Sequence, residues 1–532
     1  MKKMKLFMTA TLLLSFSITM MAQTRTVTGR ITSYEDGAPI PEVSVRLKGG
    51  ITVTQSNADG IYSIAVDERS SDMLVFYHPK FDELELNLEK RSQVDVTLRS
   101  VIRFNQYGKQ VNRTPLVAEE RDGVLVFESA DQDYKLWFDL RVQSDGAVFF
   151  GDTYNPIANG GEMRRVRVAF KAELAHNFEA EFDMDFADAL ADLKDAFLLY
   201  KATPRLDIRA GNFKERFSME QNTSSRWLTF MERPTALSTL APSRHLGLQF
   251  HYYRPYIIAV GGVHFQDVGD YEVVQNRKDN YAAGFSEGYS LTGKLTFIPF
   301  FHDVDKGLHF GIAGSYRTPK THDRIDNVRF DSRSNVNINR KKYIDTDRID
   351  QVENYNIANF EFAGYFKNFK FATEYITAKV NRYNDLHSET FNGFYIMGSS
   401  LLFGGNFIYN TYQGEFTQPI NGKAWGDVEL ALRYDFSDFN NPRGDTYLDY
   451  GVMGGSGEGF TLGINYYAPK NVKLMLNYGY LNFDRYANQR GRLIIGYDSE
   501  ANPTTDSFLV DDSFGKPGER FHWLAFRVQV AF

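Results

Sequence analysis

The sequence predicts an all-β protein, a sixteen-stranded antiparallel transmembrane β-barrel carrying an N-terminal periplasmic β-sandwich. Three observations predict it. Apolar and polar residues alternate with period two in about sixteen segments after Tyr134, the connections between those segments alternate between short and long, and aromatic residues make up 15% of the chain.

The N-terminus reads as an export leader. Lys2, Lys3 and Lys5 form a basic start, Leu6 to Met21 a mostly apolar stretch, and Ala22-Gln23 a cleavage site, so residues 1–22 are expected to be removed. Beyond them no continuous apolar run reaches spanning length, and the mean hydropathy is −0.39, so no helix is expected to cross a membrane. The chain has no cysteine, which excludes a disulfide framework, thiolate catalysis and Cys-ligated zinc. A formal net charge of −7 argues against nucleic acid as a partner.

Residues 23–100 alternate short apolar strands with turn signals. Val27 to Ile31 is followed by Asp36-Gly37, Val43 to Leu47 by Asn57-Ala58-Asp59-Gly60, and then comes Ile61 to Ile64, the pattern of a small β-sandwich. Thr28-Gly29-Arg30, Ile40-Pro41, Val43-Ser44-Val45, Asp59-Gly60-Ile61-Tyr62 and Val94 to Leu98 resemble the carboxypeptidase regulatory-like domain, a transthyretin-like fold. The resemblance implies an accessory module with a periplasmic partner of its own. Residues 101–133 mix charge with Gly and Pro without periodicity and read as a linker.

From residue 134 to 532 the barrel pattern holds. Tyr134, Leu136, Phe138, Leu140 and Val142 alternate with Lys135, Trp137, Asp139, Arg141 and Gln143. Phe178, Ala180, Phe182, Met184 and Phe186 alternate with Glu179, Glu181, Asp183 and Asp185, and four acids on one strand face cannot point into a dry core. Tight turns at 175–177, 202–204, 254–255, 367–368 and 468–471 alternate with long polar loops at 214–243, 266–287, 317–356 and 481–519, as in outer-membrane barrels. One connection, near 403–425, is long on the side of the short turns and breaks this rule. His522, Leu524, Phe526, Val528, Val530 and the terminal Phe532 share one face of the last strand, which resembles the signal read by the barrel assembly machinery.

Lys214 to Pro234, with Arg164-Arg165-Val166-Arg167, Leu193 to Tyr200, Ala241 to Gln249, Gly393-Phe394-Tyr395, Thr461 to Tyr467 and Asn471 to Tyr478, resembles the phosphate-selective porin O and P family. These matches keep chain order from residue 134 to the end. The resemblance implies an outer-membrane, usually trimeric porin, and no cofactor or metal is expected. Its third long loop folds into the pore and its arginines and lysines draw anions through, so small anionic or hydrophilic solutes are the expected cargo.

Counting strands places residues 214–243 between the fifth and the sixth, the position of that loop. Lys214, Arg216, Arg226, Arg233 and Arg244 could meet phosphate or carboxylate oxygens there, or else pair with acids on the wall and hold the loop down. Strand parity adds Arg165, Arg167 and Lys171 on strand two, Arg205 and Arg209 on strand five, and Lys294 on strand eight as lumen-facing cations. The acids of strand three oppose those of strand two, so the expected lumen is mixed in sign, and the anion preference that the family name implies is open.

Other readings compete. An energised TonB-linked uptake barrel would need about twenty-two strands and a plug, more than the roughly 400 residues after Tyr134 supply. A scaffold or adhesin would place function in the long loops. An enzyme finds little support, because His302, His309 and His322 are scattered and no nucleophile or phosphate-loop motif occurs. Asp345, Asp347 and Asp350 could hold calcium, but read better as a solvated acidic loop.

Overall fold

The computed structural model describes residues 24–51, 53–67, 72–112, 114–121, 123–187, 191–265, 267, 286–322, 325–443, 451–486 and 492–532. The expected leader lies outside them. The chain divides into two compact units, up to Pro115 and from Leu116 onward.

In the first unit, Thr24–Ser33 pairs antiparallel with Ile61–Asp67 and parallel with Val96–Leu98, while Ser44–Leu47 and Met73–His78 form the centre of a four-stranded sheet edged by Val53–Gln55 and Phe81–Asn87. Alternate residues of both sheets, among them Val27, Ile31, Val45, Ile64, Leu74 and Phe76, meet in one buried apolar cluster. Gly60 closes the turn before Ile61 at φ +73°, where a Cβ would stand 2.3 Å from the Ile31 carbonyl oxygen.

The second unit is a closed barrel of sixteen antiparallel strands in chain order: β1 Tyr134–Phe150, β2 Gly160–Leu174, β3 Phe178–Asp185, β4 Asp192–Thr203, β5 Leu206–Lys214, β6 Arg244–Arg254, β7 Ile257–His264 and β8 Ser290–Phe297, then β9 Lys306–Arg317, β10 Val352–Phe366, β11 Phe369–Arg382, β12 Glu389–Leu401, β13 Asp427–Pro442, β14 Gly451–Tyr467, β15 Val472–Tyr486 and β16 Glu519–Ala531. β16 returns to β1, with Arg141 opposite Ala531 and Phe150 opposite His522. Phe532 extends this seam by one residue: its N–H donates to the Leu140 carbonyl at 2.9 Å and its own carbonyl accepts from the Leu140 N–H.

Large apolar side chains such as Phe138, Phe170, Phe182, Leu248, Leu295, Phe360, Leu462 and Phe526 stand on the outer face, where an outer-membrane barrel meets lipid. Their strand neighbours turn inward. The sixteen-strand count leaves no room for the larger uptake barrel.

Two segments depart from expectation. The stretch read as a linker contains a hairpin of Ile102–Phe104 with Gln110–Asn112 and a second of Leu116–Arg121 with Val124–Ser129. The second hairpin continues the barrel sheet, pairing Val126 with Trp137 below the point where β16 ends. Short mixed strands lack the length to show periodicity, which hid both. The connection after β12, which broke the length rule, folds into the barrel: Tyr409–Asn410 pairs with Glu415–Phe416, and Tyr409 and Phe416 pack beside Tyr365.

The loop 215–243 also enters the lumen, through two short helices, α1 Met219–Asn222 and α2 Thr235–Leu240. Ser218 caps α1, its hydroxyl accepting from the Gln221 N–H. Phe217, Met219, Phe230, Met231, Ala236, Leu237 and Leu240 join Phe330, Tyr343 and Ile344 of the loop 318–351 and the inner faces of the later strands in one apolar cluster. Gly393 on β12 permits the close approach, since a Cβ there would lie 2.3 Å from that of Ala236. The later half of the barrel is therefore filled, and open space is left beside its first six strands.

Candidate pore and its charged lining

That space is a cavity of about 440 Å³ bounded by β1 to β6, the inserted loop and the ribbon after β12. Eleven cations line it: Arg141, Arg164, Arg165, Arg167, Lys171, Lys194, Arg209, Lys214, Arg216, Arg233 and Arg244. Five carboxylates share it: Glu181, Asp183, Asp185, Asp195 and Glu415.

The strands set most of these positions by register. Arg167 lies opposite Asp185 and Lys171 opposite Glu181, so β2 and β3 neutralise one another directly. Arg167 is 2.9 Å from Asp185 and 3.8 Å from Asp183, and Lys171 is 3.4 Å from both Asp139 and Glu181. Arg244 reaches Asp195 at 2.6 Å. Glu181, Asp183 and Asp195 bring oxygens within 4.8 Å of one another, but these cations already answer them.

Five lining cations have no carboxylate within 4.0 Å among the described residues: Arg141, Arg209, Lys214, Arg216 and Arg233. Neutral groups hold them instead. Arg141 donates to the Ser225 hydroxyl at 2.7 Å. Arg209 lies over the Phe197 ring, 4.4 Å from its centroid. Lys214 donates to the Gln221 carbonyl at 2.8 Å, Arg233 to those of Glu220 and Thr223 at 2.8 and 2.5 Å, and Arg216 to that of Tyr412 at 3.4 Å. A cation fixed by carbonyl dipoles keeps its full charge for a passing ion. Burial pulls Arg216 down only to about 10, so it is charged at neutral pH.

The inserted loop is held by a network around Glu232. Arg164 grips its carboxylate at 2.7 and 3.0 Å, Arg527 approaches at 3.0 Å and Arg165 at 3.7 Å. Against the pull of burial, these guanidinium groups hold Glu232 well below the usual carboxylate range. Wall side chains also take the loop's backbone: Lys473 donates to the Leu228 carbonyl, Asn465 to that of Thr229 and Arg433 to that of Glu232. Glu361 and Glu374 accept the N–H groups of Met219 and Glu220.

Eight of the eleven cations expected from the sequence line the cavity: Arg165, Arg167, Lys171, Arg209, Lys214, Arg216, Arg233 and Arg244. Three do not. Arg205 is exposed in the turn before β5, because that strand begins at Leu206 and parity has no meaning beyond its end. Arg226 turns to the wall and pairs with Asp139. Lys294 is buried against Glu361 at 2.7 Å, on the filled side of the barrel. In the long loop 318–351, Asp345 is taken by Arg329 at 2.6 and 2.8 Å.

Sequence reasoning missed Arg141, Arg164, Lys194 and Glu415. Arg141 lay on the polar face of the first strand and parity alone would have found it. Arg164 and Lys194 occupy β-bulges, where the register slips between Gln143 and Ser144 and between Asp183 and Met184, so Arg164 turns inward beside Arg165 and Lys194 beside Asp195. Glu415 arrives on the ribbon after β12. Burial pushes its carboxyl up to about 7 against the pull of Lys214, Arg216 and Arg233.

Residues 138–497 match the family described as phosphate-selective porin O and P. Porin O of Pseudomonas aeruginosa is 23% identical over 423 residues, covering 69% of this chain and 88% of that protein. An uncharacterised protein of Caulobacter vibrioides is 23% identical over 333 residues, 61% of this chain, and the chain spans 63% of its length. Among solved structures, the outer-membrane OmpT of Vibrio cholerae aligns with 75% of this chain and 98% of its own, at 11% identity and a TM-score of 0.44.

Proposed function

The chain belongs to the phosphate-selective porin O and P family, and from that premise we propose that this outer-membrane porin passes small hydrophilic solutes by diffusion and favours anions such as phosphate and carboxylates. The observation that carries the preference is the set of five lining cations held by neutral groups. A charge in a narrow, water-filled passage is weakly screened, and low-dielectric walls focus its field on the ion beside it.

Arg165 and Lys171, which stand within reach of Glu232 and of Asp139 and Glu181, add less than these five, and Phe532 serves the barrel assembly machinery. The protein works as a homotrimer, as the family resemblance implies, and its N-terminal unit is a periplasmic module of the carboxypeptidase regulatory-like kind with its own partner. Reversal potentials of the purified protein in planar bilayers under a salt gradient, with phosphate competing against chloride, test the anion preference. A cation-selective pore would refute it.

A further inference from the structure

Four of the five carboxylates in the cavity are carried on β3 and β4, each within 4.0 Å of a lining cation. The fifth, Glu415, arrives on the ribbon after β12. Its ribbon is tightly held: Gly414 makes the turn at φ +74°, Tyr412 donates to Asp207, and the Thr411 hydroxyl lies 3.1 Å from that of Tyr253. Tyr409 touches His309, and at the root of the connection Asp427 accepts the N–H groups of Phe403, Gly405 and Gly422.

The Glu415 side chain makes no ion pair and no hydrogen bond among the described residues. It faces the cavity within the field of Lys214 on β5, Arg216 and Arg233 on the inserted loop, and Lys294 on β8. Three of these are cations that neutral groups hold.

We propose that Glu415 is a tethered counter-anion of the pore, which shares the field of Lys214, Arg216 and Arg233 with a passing oxyanion and so sets how tightly phosphate or a carboxylate is held there. The inference rests on the reading of this cavity as the solute path. A pore conducts only if its ion leaves as readily as it enters. Several uncompensated cations around one narrow space would retain a doubly charged anion. A fixed carboxylate among them lowers that affinity without closing the passage.

The test compares the full-length protein with Glu415→Gln and Glu415→Asp by three measurements: reversal potential under a chloride gradient, the inorganic phosphate concentration that halves chloride current, and liposome swelling in a small neutral sugar. Glu415→Gln is expected to raise the anion-to-cation permeability ratio about two- to threefold, to lower the half-blocking phosphate concentration by about as much, and to leave sugar entry unchanged. Glu415→Asp, with its carboxylate drawn back, should shift both ion readouts in the same direction by less, and it keeps the proposal testable if the glutamine variant fails to assemble. Unchanged selectivity and phosphate block would overturn the proposal, as would a change in both that comes with faster sugar entry, since the pore would then have widened. If the native pore favours cations, the anion reading fails, yet removing the Glu415 charge must still move the reversal potential toward anions.

Discussion

Arg527 on the last strand and Asp145 on the first are direct partners across the barrel seam and share two hydrogen bonds of 2.7 Å. The same guanidinium donates to the Met231 carbonyl at 2.7 Å and approaches Glu232 at 3.0 Å, so one buried side chain closes the barrel and seats the inserted loop. Breaking a buried pair by removing one partner costs about 3–5 kcal/mol. Arg527→Ala is expected to lower the temperature at which the folded band is lost on a heat-modifiability gel and to add current noise in single channels. A quiet channel of native heat stability would show that the loop is seated without Arg527.

The N-terminal unit should fold by itself, because its two sheets share one closed apolar core. Residues 24–112 expressed separately are expected to give a cooperative thermal transition by circular dichroism. Tyr62 is buried and its hydroxyl donates to the Val94 carbonyl at 2.8 Å, so Tyr62→Phe should cost about 1 kcal/mol. Gly29→Ala should be far worse, since a Cβ there would lie 1.7 Å from that same carbonyl oxygen. Unfolded or non-cooperative behaviour of the native segment would remove its claim to independence.

The barrel is legible because period two repeats in most strands, and a single strand such as Phe178–Asp185 already separates lipid-facing Phe182 from lumen-facing Asp183. What alternation cannot see is where it is broken. The bulges at Arg164 and Lys194 add two cations to the lumen that strict parity would send to lipid. Nor does parity say what an inward charge meets: Arg226 and Arg216 are similar in sequence, yet one pairs with Asp139 and the other stays uncompensated beside Tyr412. The inward ribbon that brings Glu415 is set by long-range packing of Tyr409 and Phe416 against Tyr365, contacts with no local signature.

Acid should act on two groups at different pH. Glu232 is depressed, so its contribution to seating the loop is present above the usual carboxyl value of 4.5 and is lost only as pH falls through its lower folded value. Conductance noise at pH 5 should match that at pH 7, and a rise between pH 7 and 5 would contradict the assignment. Glu415 is raised to about 7, so its charge disappears as pH falls through that value. The cations around it, Lys214, Arg216, Arg233 and Lys294, then gain one net positive charge, and His251, 3.4 Å from Arg216, can only add to it by protonation. Chloride preference should therefore rise from pH 8 to pH 6 and stay flatter in Glu415→Gln.

Among the cations, selectivity should follow compensation and not count. Lys214 and Arg233 are fixed by the carbonyls of Gln221, Glu220 and Thr223, so their charge is available to the passing ion. Arg226 is bound to Asp139, a carboxylate that also stands 3.4 Å from Lys171, so losing Arg226 leaves Asp139 still partnered. Arg216→Ala and Arg233→Ala are each expected to lower the anion-to-cation permeability ratio severalfold in about 0.1 M salt and by less in 1 M salt, where charges more than about 3 Å apart are screened. Arg226→Ala should shift the ratio less than either, and Arg205→Ala, exposed in its turn, least of all. Reversal potentials measured for the four variants under one salt gradient decide the matter. Equal shifts across all four would mean that net charge alone sets the preference, and the distinction between carbonyl-held and carboxylate-held cations would have no bearing on permeation.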